Sequence, residues 1–226
     1  MMNTANISRD FDEIARLSDR YGYNVNRYHS LIASWVPRDA KRVLEIGCGL
    51  GQLASRVAGS DRHVTAIDLS HEMIARAQKK FTDAQRFRFF CGDFLEHEFG
   101  AEQFDCVVTA ATLHHMPAGL AVPRMIDLIK PGGRLIIHDI RRDDGLGDRI
   151  RAGFALAQAA SVRLWRTGRP RSPRRLRLAW AQHGAGEEYL TFQEAQTMAS
   201  RFLPVASVFY HWLWRYTIVW DKPGAA

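Results

Sequence analysis

Apolar residues recur at helical spacing near the start of the chain, at Phe11, Ile14, Ala15 and Leu17, and again at Leu31, Ile32 and Trp35. Residues 10–35 therefore predict two short helices, separated where "YGYN" (21–24) interrupts the period and closed by Pro37. The pattern then changes. "RVLEI" is a short apolar run ending in glycines, which reads as a buried strand, and Leu50, Leu53, Ala54, Val57 and Ala58 after it fall on one helix face. "VTAI" predicts a second strand, followed by a helix capped by Ser70 and striped with Met73, Ile74, Ala77 and Phe81. "FRFF", "CVVTA" and "RLIIH" predict three more strands. Between the last two, Val122, Met125, Ile126 and Ile129 line a helix that "PGG" ends.

Strands alternating with helices mean βαβ units, a parallel sheet and right-handed crossovers, hence a doubly wound α/β fold. Beyond Asp139 the alternation stops. "RRDDGLGD" reads as loop, residues 149–165 as helix, and "RTGRPRSPRRLR", broken by two prolines, as an exposed basic loop. "TFQEAQTMASRF" predicts a helix with a capping box from Thr191 to Glu194, and "VASVFYHWLWRYTIVW" two strands that bend near His211.

The chemistry concentrates where the predicted strands end, because an open parallel sheet binds ligands beyond the carboxyl ends of its strands. Strand one ends in Glu45 and "GCGLG", in which Gly47, Gly49 and Gly51 let backbone approach a ligand around Cys48. Strand two ends in Asp68-Leu69, where a carboxylate can accept both hydroxyls of a ribose. Strand three ends in Gly92-Asp93-Phe94, offering an acceptor for an exocyclic amine beside an apolar wall. Strand four runs into small residues around Ala110 that leave room for a ligand's reactive end. Each feature has a plainer reading: the glycines as a tight turn, Asp68 as an acid favoured at a helix N-terminus, Asp93 as a loop residue. Their order at successive strand ends favours a nucleoside. A dinucleotide wants G-x-G-x-x-G for its pyrophosphate, whereas G-x-G-x-G after an acid suits S-adenosylmethionine, whose amino acid end carries an ammonium.

"VLEIGCGLG", "AIDLS", "CGDF", "FDCVVTAATLHHM" and "LIKPGGRLIIHDI" together resemble the ordered motifs of class I S-adenosylmethionine-dependent methyltransferases, over roughly residues 40–140. The flanks "DRYGYNVNRYH" and "LWRYTIVW" are similar to a bacterial group acting on small molecules. The resemblance implies a Rossmann-like seven-stranded sheet, mostly parallel with an antiparallel last strand and helices on both faces. By position it puts Glu45, Gly47 and Gly49 at the methionine part, Asp68 at the ribose, and Asp93 and Phe94 at the adenine. Ala110 stands where the family often has a polar residue. The segment carrying Tyr21, Tyr23, Asn24, Tyr28 and His29 often folds over the cofactor in such proteins, though tyrosines there also simply pack helices.

The resulting expectation is a single methyltransferase domain over 1–226. It comprises a helical lid (1–37), a cofactor-binding core (38–140), a helix and basic loop that could cap the substrate (141–190), and a C-terminal helix with a strand pair (191–226). Alignment behind the sulfonium can supply much of the rate, with His114, His115 and His138 as candidates for proton transfer. For His114 and His115 the alternative is scaffold. The expected partner is a small-molecule methyl acceptor taking methyl on oxygen or nitrogen.

Charge adds one competing reading. The chain has 226 residues and a net charge of +7, and much of the excess lies between residues 163 and 177. Those arginines could serve an RNA or protein methyltransferase, or a solvated surface. No RNA-binding module accompanies them and no Asn-Pro-Pro-Tyr-like tetrad follows strand four, so nucleic acid is not favoured. A cofactor-binding partner subunit without catalysis is a third reading. The three cysteines, Cys48, Cys91 and Cys106, form no CxxC pair, which points to reduced thiols and no zinc site, so no metal is expected. Without an apolar leader or an 18-residue apolar run, the sequence reads as cytoplasmic with no membrane span.

Overall fold

The computed structural model describes residues 4–21, 28–100, 103–143, 145–168 and 173–224, with some side chains inside these stretches excepted. Its centre is one seven-stranded sheet in the order β3-β2-β1-β4-β5-β7-β6. The strands are β1 (Arg42–Ile46), β2 (His63–Asp68), β3 (Phe87–Cys91), β4 (Phe104–Ala110), β5 (Ile129–Ile140), β6 (Ser207–His211) and β7 (Arg215–Asp221). Neighbours from β3 to β5 run parallel, and β7 lies antiparallel between β5 and β6. The chain leaves β1 first toward β2 and later toward β4, so the order reverses there and a crevice opens at the carboxyl edge. Because β7 runs backwards, its first residue, Arg215, stands at that same edge, opposite Ile140 of β5.

Alternation along the strands explains the two-sided packing. Leu44, Ile46, Val107, Leu135 and Ile137 face one buried layer, covered by α5 (Ala118–Asp127) and α8 (Phe192–Phe202). Val43, Cys106, Val108 and Ile136 face the other, beneath α2 (His29–Trp35) and α3 (Gln52–Ala58). On α4 (His71–Lys80) Ser70 caps the first turn as the sequence implied, accepting from the Met73 amide at 3.0 Å. Thr191 and Glu194 close the expected capping box on α8.

Two expectations need correction. The helix before β5 ends at Asp127, and "PGG" lies inside the strand, where the pairing with β4 shifts register around Gly132 (φ +77°). The basic "RTGRPRSPRRLR" is not one loop: α6 (Leu146–Thr167) runs into it, and α7 (Arg174–Gly184) starts directly after Pro173. Proline is tolerated there because the first helical N–H groups need no intrahelical partner. Residues 169–172, between them, lie outside the described residues. Two helices flank "YGYN" as expected: α1 (Thr4–Tyr21) ends on its first tyrosine, and the other three residues of the motif lie outside the described residues. No helix among the described residues is long and apolar enough to cross a membrane.

Candidate active site

The crevice at the carboxyl edge deepens into a cavity of about 690 Å³, within the range that takes a small ligand. Glu45, Gly47, Cys48 and Gly49 from β1, Asp68 and Leu69 from β2, Asp93 and Phe94 from β3, and Ala110 from β4 all line it. So do His114 and His115, on a 3-10 turn after β4. Thr4, Ile7 and Phe11 of α1 close one side, with Trp180 and His183 of α7.

The turn after β1 is fixed by its neighbours. The amides of Gly47 and Cys48 both donate to the Ile67 carbonyl, at 2.8 and 3.1 Å. Gly47 has φ +73°, and a Cβ there would come within 2.0 Å of the Thr112 hydroxyl oxygen, so only glycine fits. Gly51 serves otherwise than expected. It stands off the cavity wall, caps the start of α3 at φ +69° and lies against Phe81 and Phe89.

Acids dominate the half of the cavity over β1–β3. Glu45 is 2% exposed, and one of its carboxylate oxygens is buried without a partner. Burial pushes its pKa well up, and the Asp68 charge adds to the shift. A cation at this oxygen would relieve both. Asp68 accepts from the Gly49 amide at 2.7 Å with one oxygen and from the Ser70 amide at 2.9 Å with the other. It is therefore both the helix-start acid of the plainer reading and a wall of the cavity, since each oxygen keeps a further lone pair. Asp93 accepts from the Leu95 amide at 2.8 Å, while Phe94 is buried into the core as well as facing the cavity.

The other half lies over β4, β5 and β7. His114 Nδ1 stands 2.7 Å from Asp139 Oδ1, and the His114 amide donates to Asp139 Oδ2 at 2.9 Å. Burial raises the Asp139 pKa, but the contacts with His114 outweigh it and the net shift is downward. The carboxylate thus holds the imidazole with Nδ1–H toward it and leaves Nε2 as the basic nitrogen. His115 lies 3.0 Å from Glu187, without the alignment of a hydrogen bond. Burial, then His114 and His183, lowers its pKa to about 3. Burial raises the pKa of Glu187. His114, His115 and Glu187 offer one donor atom each within 4.8 Å of one another, chemistry a divalent ion can use.

His138 does not stand beside the cavity as expected. On β5 its side chain points into the sheet packing, fully buried, with Nδ1 2.8 Å from the Thr217 hydroxyl and the Tyr28 ring 4.9 Å away. Burial lowers its pKa to about 2. Of the N-terminal residues singled out, Tyr28 and His29 line the cavity, whereas the Tyr21 side chain, Tyr23 and Asn24 lie outside the described residues. Trp180 is on the wall, but Trp165 is 86% exposed and Phe209 stacks on Trp35. The sequence did not point to Tyr189, His183 and Arg215 on the wall, or to Glu187 behind it, beside His115. For Arg215 a signal existed, a lone cation opening a buried strand; for the other three, in "QHGAGEEY", none did.

Comparison with known proteins finds likeness in the core of the sheet. The family described as a methyltransferase domain matches residues 43–133, the stretch that builds β1 to β5. Over that stretch the chain is similar to methyltransferase domains. An uncharacterized methyltransferase of Mycobacterium tuberculosis (strain ATCC 25618 / H37Rv) is 37% identical over 117 residues, 51% of this chain and 59% of the relative. The ubiquinone biosynthesis O-methyltransferase of Aromatoleum aromaticum (strain DSM 19018 / LMG 30748 / EbN1) is 32% identical over 128 residues, 53% of this chain and 54% of the relative. The methyltransferase matches thus span about half the length of these curated relatives. Among solved structures, the N-methyltransferase NodS from Bradyrhizobium japonicum WM9, in complex with S-adenosyl-L-homocysteine, superposes with a TM-score of 0.62 at 18% identity. The superposition covers 96% of this chain and 99% of that one, a likeness of fold.

Proposed function

We propose that this protein transfers a methyl group from S-adenosylmethionine to an oxygen or nitrogen of a small metabolite. The observation that carries the reading is the row of acids on successive strand tips, Glu45, Asp68 and Asp93, around a glycine turn in one cavity. The residues fit the cofactor: the unpartnered Glu45 oxygen suits an ammonium, Asp68 retains lone pairs for ribose hydroxyls, and Asp93 with Phe94 suits an adenine edge. When bound, S-adenosylmethionine supplies a methyl group on a sulfonium. The relatives named above act on oxygen in one case and nitrogen in another, which supports either acceptor atom.

His114 is the residue placed to take the acceptor's proton. Asp139 grips both its ring and its amide, so the imidazole is oriented before any acceptor enters. Ile7, Phe11 and Met73 on the wall keep that space poor in water and suit an apolar acceptor. Depth favours a small molecule over RNA, because the proton-accepting ring is 5% exposed.

Two measurements test this. Calorimetry should show S-adenosylhomocysteine binding; its absence refutes the reading. Methyl transfer from labelled cofactor into extracted metabolites should then exceed transfer into RNA or protein, and His114→Gln should lower that rate by about 10² to 10⁴ while leaving S-adenosylhomocysteine affinity unchanged.

A further inference from the structure

The cavity half over β5 and β7 contains a cation that the methyl-transfer reading does not use. Arg215 opens β7, lines the cavity and sits opposite Ile140 at the reactive edge. Its hydrogen bonding is sparse: among the described residues one contact stands out, from Nη1 to the Trp214 carbonyl at a long 3.4 Å. A guanidinium has five N–H donors in a planar fork.

The groups around it are engaged elsewhere. Asp139 takes the His114 ring at Oδ1 and the His114 amide at Oδ2, and its Oδ1 also accepts from the Ile140 amide at 2.7 Å. The Tyr28 hydroxyl donates to the Trp212 carbonyl. Arg141, by contrast, shows how this fold satisfies a buried arginine. It pairs with Asp148 at 2.6 Å and with the Tyr210 hydroxyl. Arg215 has no such carboxylate among the described residues, and burial accordingly pulls its pKa down.

We propose that Arg215 anchors a carboxylate on the methyl acceptor. The inference rests on the methyl-transfer reading and narrows its substrate to a small apolar acid. A carboxylate matches the fork geometry with two parallel hydrogen bonds, and Arg215, which feels the Asp139 charge without a hydrogen bond to it among the described residues, lines the cavity. The cofactor's own carboxylate is the other source of the same chemistry. Position argues against it. Arg215 lies three strand spacings from β1, about 14 Å along the sheet from the turn after Glu45. The proposed anchor and His114 reach the cavity from opposite faces of the sheet, since Ile140, opposite Arg215, and Asp139 alternate along β5. Both residues line one cavity, so an acid held at Arg215 occupies the space that His114 borders.

The experiment uses the full chain loaded with S-adenosylhomocysteine, whose binding is measured first and separately tests the underlying reading. Three hydroxy- or imino-aryl acids, 4-hydroxybenzoate, 4-hydroxyphenylacetate and indole-3-carboxylate, are titrated beside their neutral amides. At least one acid should bind about tenfold or more tightly than its amide, and Arg215→Gln should erase that preference while amide and S-adenosylhomocysteine affinities hold. Arg215→Lys, which keeps the charge and loses the fork, should retain part of the preference and serves if the glutamine variant does not fold. The proposal is overturned if no acid outbinds its amide, if the preference survives in the variants, or if S-adenosylhomocysteine affinity falls with it. The last result would give Arg215 to the cofactor.

Discussion

Asp68 shows how one side chain can satisfy two readings of a sequence. It holds the turn after β1 through the Gly49 amide and the start of α4 through the Ser70 amide, and still faces the cavity. Asp68→Ala should weaken S-adenosylhomocysteine binding by roughly 1 to 3 kcal/mol, measured by calorimetry, because a charged acceptor is lost. Unchanged affinity would remove its assigned role. Asp68→Asn keeps one acceptor oxygen and should lose less. The acids and Gly47 were legible because each follows directly on an apolar run, so local order already gave their place at the sheet's edge. Gly51 and His138 were misjudged for the same reason. Sequence position puts both near the edge, but whether a side chain faces the cavity or the packing depends on Phe81, Tyr28 and Thr217, which arrive from far along the chain.

At the scale of elements, periodicity carried the sheet and most helices, since a two-sided parallel sheet leaves continuous apolar runs that few other arrangements produce. The α7 helix is hidden in the sequence because prolines read as breakers, whereas Pro173 sits just outside the first helical turn. The cluster of His183 and Glu187 against His115 and of Tyr189 against His114 was illegible with it, for these residues meet only after α7 packs beside α1. The capping box of α8 was readable from two residues. Thr191→Ala removes the oxygen that accepts from the Glu194 amide at 3.1 Å and should cost about 1 kcal/mol in chemical denaturation. Because α8 contributes Ala195, Met198 and Ala199 to the larger core layer, that loss should appear in global unfolding rather than as local fraying.

For the whole molecule, buried histidines set the response to acid. Burial lowers His29 to about 4, His115 to about 3 and His138 to about 2. The unfolded chain protonates near 6.5, so as pH falls below that value it binds protons that the folded state refuses. The contribution of these histidines to stability is therefore full above about pH 7 and is lost as pH falls through about 6 toward 4, each ring contributing up to about 1.4 kcal/mol per pH unit, opposed in part by the raised acids Glu45, Asp68 and Glu187. Urea titrations at pH 7.5, 6 and 5 should show that fall, and His138→Gln should make it shallower. A flat profile would mean these rings are solvated. One further feature acts at this scale. The first turn of α6 is clamped by Asp148 to Arg141 and to the Tyr210 hydroxyl at 2.8 Å, while Trp165 near its other end stands in water. A 22-residue helix is a rod about 33 Å long. By geometry alone, a tilt of about 10° about that clamp would carry the far tip, beside the exposed indole, through roughly 6 Å.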